Sequence, residues 1–243
     1  MKLQQVLSLV RQAIDDYSMI EENDCIAVGI SGGKDSLTLL YAMANLRHFY
    51  PIPFTLKAVT IDVGFDNMNF EKVIALCKEL NVEYHIEKTQ IKEIVFDVRN
   101  ESNPCSLCSK LRKGALNEVL KKIGCNKVAY AHHKDDVVET MLLSMLYEGR
   151  FHTFSPVTYL GKADISIIRP MIYMNESDVK GFINKYDVPV IKSSCPVDGH
   201  TKREYAHNLL MNINRENKGA KNRMFTAIKE SGIPGWNNDI ASY

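Results

Sequence analysis

The chain has 243 residues, 45% hydrophobic and 24% charged, with 30 Lys and Arg against 29 Asp and Glu. Those values suit an ordinary soluble globular protein of one large domain, or one domain with an appendage, and exclude an overall basic bias towards nucleic acid. Six cysteines are too few for a disulfide scaffold, and no apolar run is long enough to span a bilayer.

The opening stretch MKLQQVLSLVRQ lacks a signal-peptide core, because Gln4, Gln5 and Arg11 interrupt it. Leu3, Val6, Leu7, Val10, Ile14 and Tyr17 share one helical face, which predicts an N-terminal helix within residues 1–24. A cytoplasmic location follows, where paired cysteines more often bind metal or do chemistry than form disulfides.

From residue 25 short β-branched runs alternate with helical stretches. Strands are expected at 25–31, 54–62, 82–89 and 127–133. Helices are expected near 36–49, 69–80, 91–99, 107–123 and 135–147. That rhythm predicts an α/β fold, a parallel twisted sheet with right-handed crossovers and helices on both faces. Residues 148–164 read as a long excursion. A strand at 165–170, a helix at 175–186 and a short strand at 189–191 follow. Helices near 201–217 and 220–230 form a helical C-terminal extension over 201–243, leaving 25–200 as the main domain.

The first strand ends in GISGGKDS, residues 29–36. Gly32 and Gly33 allow a tight turn that brings bare N–H groups near an anion. The following helix adds its N-terminal partial charge, and Ser31, Lys34 and Ser36 add donors. It is a phosphate cradle, but not a Walker loop, since Gly33-Lys34 is followed by Asp35 rather than Ser or Thr. A plain glycine turn is the bland alternative.

SGGKDS after a hydrophobic strand resembles the PP-loop of the ATP pyrophosphatase superfamily, whose members cleave ATP between the α and β phosphates. The resemblance implies the adenine nucleotide α-hydrolase-like fold and ATP binding by residues 31–36, with Asp35 and Lys34 catalytic. Asp62, at the end of the second strand, would line the nucleoside pocket. AHHKDD (131–136) resembles the second signature of that superfamily, which places His132 at the nucleotide and gives Asp136 a catalytic role. Magnesium suits carboxylates and phosphate oxygens, so Asp35 and Asp136 are its candidate ligands or second-shell partners.

PCSLCSKLRKG (104–114) holds Cys105 and Cys108 at a spacing that suits zinc, a redox pair, an iron–sulfur cluster or two core thiols. Cys25, Cys77 and Cys125 look structural: Cys25 begins a strand, Cys77 shares a helical stripe with Val73, Ile74 and Leu80, and Cys125 sits in a turn. A structural zinc site wants four ligands, and only His200 is near in sequence as an addition to Cys105, Cys108 and Cys195. A redox pair leaves Cys195 without a role. A [4Fe–4S] cluster on three thiolates uses all three and leaves one iron open.

Together, PCSLCSKLRKGAL, KVAYAHHKDDVVETMLLSM and IIRPMIY resemble the tRNA 2-thiocytidine synthetase family over about residues 25–235. In that family the C-x-x-C pair and one later cysteine hold a [4Fe–4S] cluster, which here implies Cys105, Cys108 and Cys195. One departure stands out: relatives with a second C-x-x-C have no counterpart here, where Cys195 is followed by Pro196, Val197 and Asp198. The implied activity is ATP- and iron–sulfur-dependent replacement of the C2 oxygen of cytidine 32 by sulfur, with AMP and pyrophosphate released. Its partners would be tRNA and a sulfur donor such as a cysteine desulfurase or free sulfide, with no membrane and a homodimer as the candidate assembly. The basic run Lys110, Arg112, Lys113, Lys121 and Lys122, with the cations of residues 200–230, would meet tRNA phosphates. The competing readings are a related cluster-bearing sulfurtransferase for another base or a small molecule, and a zinc-bearing RNA-binding module without catalysis.

Overall fold

The computed structural model describes residues 1–66, 68–99, 104–191, 195, 202–237 and 241–242. The first helix, α1 (Leu3–Asp16), buries Val6, Val10, Ala13 and Ile14 as its pattern predicts. Strand β1 (Cys25–Gly29) and helix α2 (Lys34–Leu46) follow, then β2 (Thr55–Asp62), α3 (Glu71–Glu79) and β3 (Glu83–Lys88). After a π-helical turn at Glu93–Val98 come α4 (Pro104–Lys122), β4 (Lys127–Ala129) and α5 (Lys134–Glu148). The remainder is β5 (Val157–Leu160), β6 (Ile165–Ile168), α6 (Glu176–Tyr186), α7 (Lys202–Glu216), α8 (Ala220–Glu230) and β7 (Ala241–Ser242).

The strands form one sheet in the order β3-β2-β1-β4-β6-β5-β7. Every pairing is parallel except β5 with β6. Alternate residues of each strand serve two unequal cores. Ile26, Val28, Leu56 and Ala58 face the large core built with α1, α2, α3, α5 and α6. Ala27, Val59, Val128 and Ile167 face a smaller one covered by Leu116, Val119 and Leu120 of α4. The helix that bears the cysteine pair is thus also the cover of one sheet face. Among the described residues no helix is long and apolar enough to cross a membrane.

Several expectations need correction. The excursion over 148–164 contains β5, which pairs antiparallel with β6 through a tight turn at Gly161–Asp164, with Asp164 in the left-handed region at φ 56°. Asp tolerates that region, which the expectation of an open loop overlooked. Residues 189–191 form no strand. Pro189 has no N–H to give a ladder, and among the described residues the segment is held by the Ile191 N–H donating to the Gly32 carbonyl at 2.8 Å. The strands expected to reach 31 and 133 stop at Gly29 and Ala129, although the Ile30 N–H still donates to the Val59 carbonyl at 2.7 Å and the Tyr130 N–H to the Ile168 carbonyl at 2.9 Å. Ile74 does not share the buried stripe of α3: it is 48% exposed, while Val73, Leu76 and Cys77 are buried. Cys25 and Cys125 are neighbours, with Sγ atoms 3.1 Å apart.

Candidate active site

Strand order reverses at β1: the chain winds outward through β2 and β3 on one side, and β4 and β6 lie on the other. Such a switch point opens a crevice at the carboxyl ends of the strands, where α/β proteins bind ligands. A cavity of about 610 Å³ lies there. Gly29, Ile30 and Ser31 line it from the β1 tail, Tyr130, Ala131 and His132 from the β4 tail, and Arg169 from beyond β6. Asp35 and Ser36 of α2, Asp136 of α5, Ser109, Arg112 and Lys113 of α4, and Arg203 of α7 complete it.

The β1–α2 loop holds its own shape. The Gly33 N–H donates to Ser31 Oγ at 3.2 Å, the Ser31 N–H to Ser36 Oγ at 3.2 Å, and the Ser36 hydroxyl to the Gly33 carbonyl at 3.0 Å. Gly32 is required twice over. Its φ of +81° suits only glycine comfortably, and an added Cβ would lie 3.0 Å from the Ile191 side chain. Gly33 is the N-cap of α2 and brings no side-chain cap, so the first-turn N–H groups stay available to an anion.

The charged residues fall into two sets. Lys34 does not line the cavity. Its ammonium contacts Asp35 Oδ2 at 2.9 Å and Glu176 Oε1 at 3.2 Å. Burial works against that ammonium, but the two carboxylates outweigh it and raise its pKa. Burial likewise pushes Glu176 up, yet Lys180 and Lys34 pull its carboxyl down to about 2. Asp136 Oδ2 accepts the His133 N–H at 2.9 Å, capping α5, and Asp135 is clamped between Lys221 Nζ at 2.5 Å and the Glu176 N–H at 2.9 Å. Among the described residues Asp35 Oδ1 is buried without a hydrogen bond, with His133 Nε2 3.6 Å away, and His133 Nδ1 lies 3.3 Å from Asp136 Oδ2. An orphaned carboxylate oxygen facing an open phosphate cradle has the chemistry of a site made for a cation.

Asp62 stands apart. Its Oδ1 accepts the Gly64 N–H at 3.0 Å and it borders a separate cavity with Asn69, Phe70 and Lys88, whereas Ile61 lines the shared one. Sequence reasoning missed Arg169, Glu139 and His207 as site or near-site residues, whereas Arg203 belongs to the basic patch it assigned to tRNA phosphates. Arg169 is 6% exposed, and an arginine inside the apolar run ISIIRP was the available signal. Glu139 and His207 meet at 2.7 Å and tie α7 to α5; burial raises the Glu139 pKa, with the His207 contact opposing.

Pro104 opens α4, so Cys105 and Cys108 occupy its first turns. Cys105 is exposed, and Cys108 and Cys195 are half-buried. Burial raises the Cys108 pKa, Arg112 opposes, and the nearby Cys195 and Cys105 sulfurs raise it further. Cys105 and Cys195 therefore each lie within electrostatic reach of Cys108. They are not closed on a common point: among the described residues no three His, Cys, Asp or Glu side chains are grouped tightly enough to hold a metal ion. The donor set is nonetheless three soft thiols, the kind an iron–sulfur cluster takes.

A backbone phosphate cradle at the switch point of a parallel sheet, with carboxylates and cations around one cavity, defines a nucleotide-binding α/β protein. The PP-loop domain family matches residues 3–214. The tRNA-cytidine(32) 2-sulfurtransferase of Geobacter sulfurreducens is 34% identical over 230 residues, covering 93% of this chain and 90% of the relative. The protein of the same description from Syntrophotalea carbinolica is 40% identical over 192 residues, covering 79% and 74%. The chain belongs to the PP-loop domain family and, within it, to the tRNA-cytidine(32) 2-sulfurtransferases. Among solved structures, the U34-tRNA thiolase NcsA from Methanococcus maripaludis, described with its [4Fe-4S] cluster, superposes with a TM-score of 0.74 at 22% identity, covering 94% of this chain and 79% of that one. That likeness establishes the shared fold.

Proposed function

We propose that the protein adenylates the C2 oxygen of cytidine 32 in tRNA and replaces it with sulfur, giving 2-thiocytidine, AMP and pyrophosphate. One observation carries the reading beyond family membership: the phosphate cradle and the C-x-x-C helix share a cavity. Ser109, beside Cys108, lines the same space as Ser31, Asp35 and Ser36.

The cytidine carbonyl oxygen is a poor leaving group, and bonding it to the α-phosphorus of ATP makes it part of AMP, a better one. The N–H groups of Gly32 and the start of α2, with Ser31 and Ser36, bind the departing pyrophosphate. Asp35, whose Oδ1 makes no hydrogen bond among the described residues, and Asp136 would hold Mg²⁺, which when bound would supply positive charge to the phosphates. Lys34 holds Asp35 in place from outside the cavity. Arg112, Lys113 and Arg203 supply positive charge on the cavity wall for RNA phosphates. Cys105, Cys108 and Cys195 would hold the cluster, which when bound supplies an iron open to sulfur. The cluster named for NcsA supports that assignment. Arg112, which opposes the rise in the Cys108 pKa, eases formation of the thiolate the cluster needs. The target base must leave its stack to enter, as bases do for enzymes that act on them.

The test combines anaerobically purified protein, ATP, Mg²⁺, sulfide and tRNA from a strain lacking the gene, followed by nucleoside mass spectrometry. New 2-thiocytidine with equimolar AMP is the expected result. Intact 2-thiocytidine in the deletion strain, or release of ADP, would sink the reading.

A further inference from the structure

His132 and Arg169 form an arrangement that the reaction scheme above leaves unused. Arg169 Nε lies 3.2 Å from His132 Nδ1. A guanidinium carries only donors and does not lose its proton, so the imidazole nitrogen facing it must accept. Arg169 has little freedom to move away. Its Nη1 donates to the Ser155 carbonyl at 2.6 Å and to Thr158 Oγ1 at 3.1 Å, and its guanidinium lies 4.8 Å from the centre of the Phe154 ring. The imidazole is held as well, with Phe154 4.7 Å from it at 31° and Tyr130 5.8 Å away edge-on. A ring that accepts at Nδ1 carries its one proton on Nε2, the opposite nitrogen, which makes no hydrogen bond among the described residues. His132 lines the cavity.

We propose that Arg169 is a positioning residue: it fixes His132 as a neutral imidazole protonated on Nε2, a permanent uncharged donor in the cavity for the acceptor edge of a nucleobase. The tautomer stands on geometry alone, and the nucleobase rests on the function proposed above. Burial, foremost, and then the charges of Arg169, Arg203 and His133 hold the His132 pKa well below its ordinary range, which keeps the ring neutral. The arrangement answers a chemical need. Arg112, Lys113 and Arg203 recruit phosphate, and a further cation would do the same. A neutral N–H that cannot turn into an acceptor instead selects by hydrogen-bond polarity. Cytosine offers acceptors at both O2 and N3, whereas uracil presents an N–H at N3. A buried donor meeting a donor is the kind of mismatch that discriminates strongly. The adenine ring of ATP also offers acceptor nitrogens, so the shared chemistry is an acceptor edge with two sources.

Histidine-labelled full-length protein, prepared without oxygen, tests the pair by ¹⁵N NMR, with His132 assigned from its absence in His132→Gln. From about pH 5 to about 8, where an ordinary imidazole titrates, His132 should keep one Nε2-protonated pattern. Arg169→Met should release it into mixed tautomers or titration, with Arg169→Lys as the folded control that keeps the charge. Titration of wild-type His132, or a proton on Nδ1, overturns the proposal. Two separate additions identify the ligand: a non-hydrolysable ATP analogue, and an anticodon stem-loop bearing C32 or U32. A shift of the Nε2 proton with the C32 loop but not U32 assigns it to the pyrimidine, and a shift with the analogue assigns it to adenine. No shift with either overturns the ligand half. In turnover, His132→Gln places an amide N–H near the Nε2 position and should stay within about tenfold of wild type, whereas His132→Asn cannot and should lose about 100-fold in kcat/KM. Equal losses in the two variants would also overturn it. If tRNA is not thiolated while His132 remains locked, the proposed function fails and the tautomer assignment survives.

Discussion

The phosphate side and the sulfur side of the cavity are built on opposite principles. On the phosphate side the frame is fixed before a ligand arrives while the α2 N–H groups stay open: the β1–α2 loop is bonded to itself, Lys34 is paired with Asp35 and Glu176, and Asp136 caps α5. On the sulfur side Cys105 is exposed, the thiols are near but unclosed, and burial favours their protonated form at Cys108. The reason is electrostatic. A phosphate cradle made of N–H dipoles repels nothing when empty, whereas three thiolates repel one another until a cation sits among them. Preorganisation is available to one half and denied to the other.

That contrast is easiest to break by substitution. Asp35→Ala should lower thiolation by more than about 1,000-fold, because it removes a carboxylate that would hold Mg²⁺ at the phosphates. Iron content and visible absorption should not change, and their loss would mean that the two halves are not separate. The reciprocal change, Cys108→Ala, should abolish both iron binding and thiolation while the affinity for an ATP analogue stays within about twofold. Equilibrium binding under anaerobic conditions reads this directly.

Smaller effects sharpen the comparison. Lys221→Met strands the Asp135 carboxylate, which is 3% exposed, so urea unfolding should report a loss of about 3 kcal/mol. Glu176 contributes through its depressed pKa. Its stabilisation is full above the unfolded value of 4.5 and disappears as pH falls towards about 2. Wild type and Glu176→Gln should therefore differ in stability at neutral pH and converge in acid; a gap that persists below both values would contradict the Lys34 and Lys180 pairing. Cys77→Ala, on the buried face of α3, should cost only about 1 kcal/mol and leave thiolation intact.

How far the sequence could be read depended on whether the signal was local. The cradle was legible because a strand, a glycine turn and a helix start are contiguous from residue 25 to residue 46. The α4 cysteines were legible for the same reason. Asp62 was placed at a strand end correctly, but the β2 tail turns its carboxylate onto Gly64, and a turn of that kind leaves no periodic mark. The hairpin of β5 and β6 escaped because four-residue strands carry little alternation, and with it went Arg169, whose partners Ser155 and Thr158 lie on that hairpin. Glu139 and His207 are 68 residues apart, beyond any reading of local pattern.

Ile191 is bonded to Gly32 through its N–H and packs its side chain where a Cβ on Gly32 would sit. Cys195 is four residues further on. Four residues of chain span at most about 14 Å, so the third sulfur is tethered to the phosphate loop on a short leash. The covalent chain thus bounds how far one thiol can lie from the loop that would hold the phosphates, whatever path the backbone between them takes.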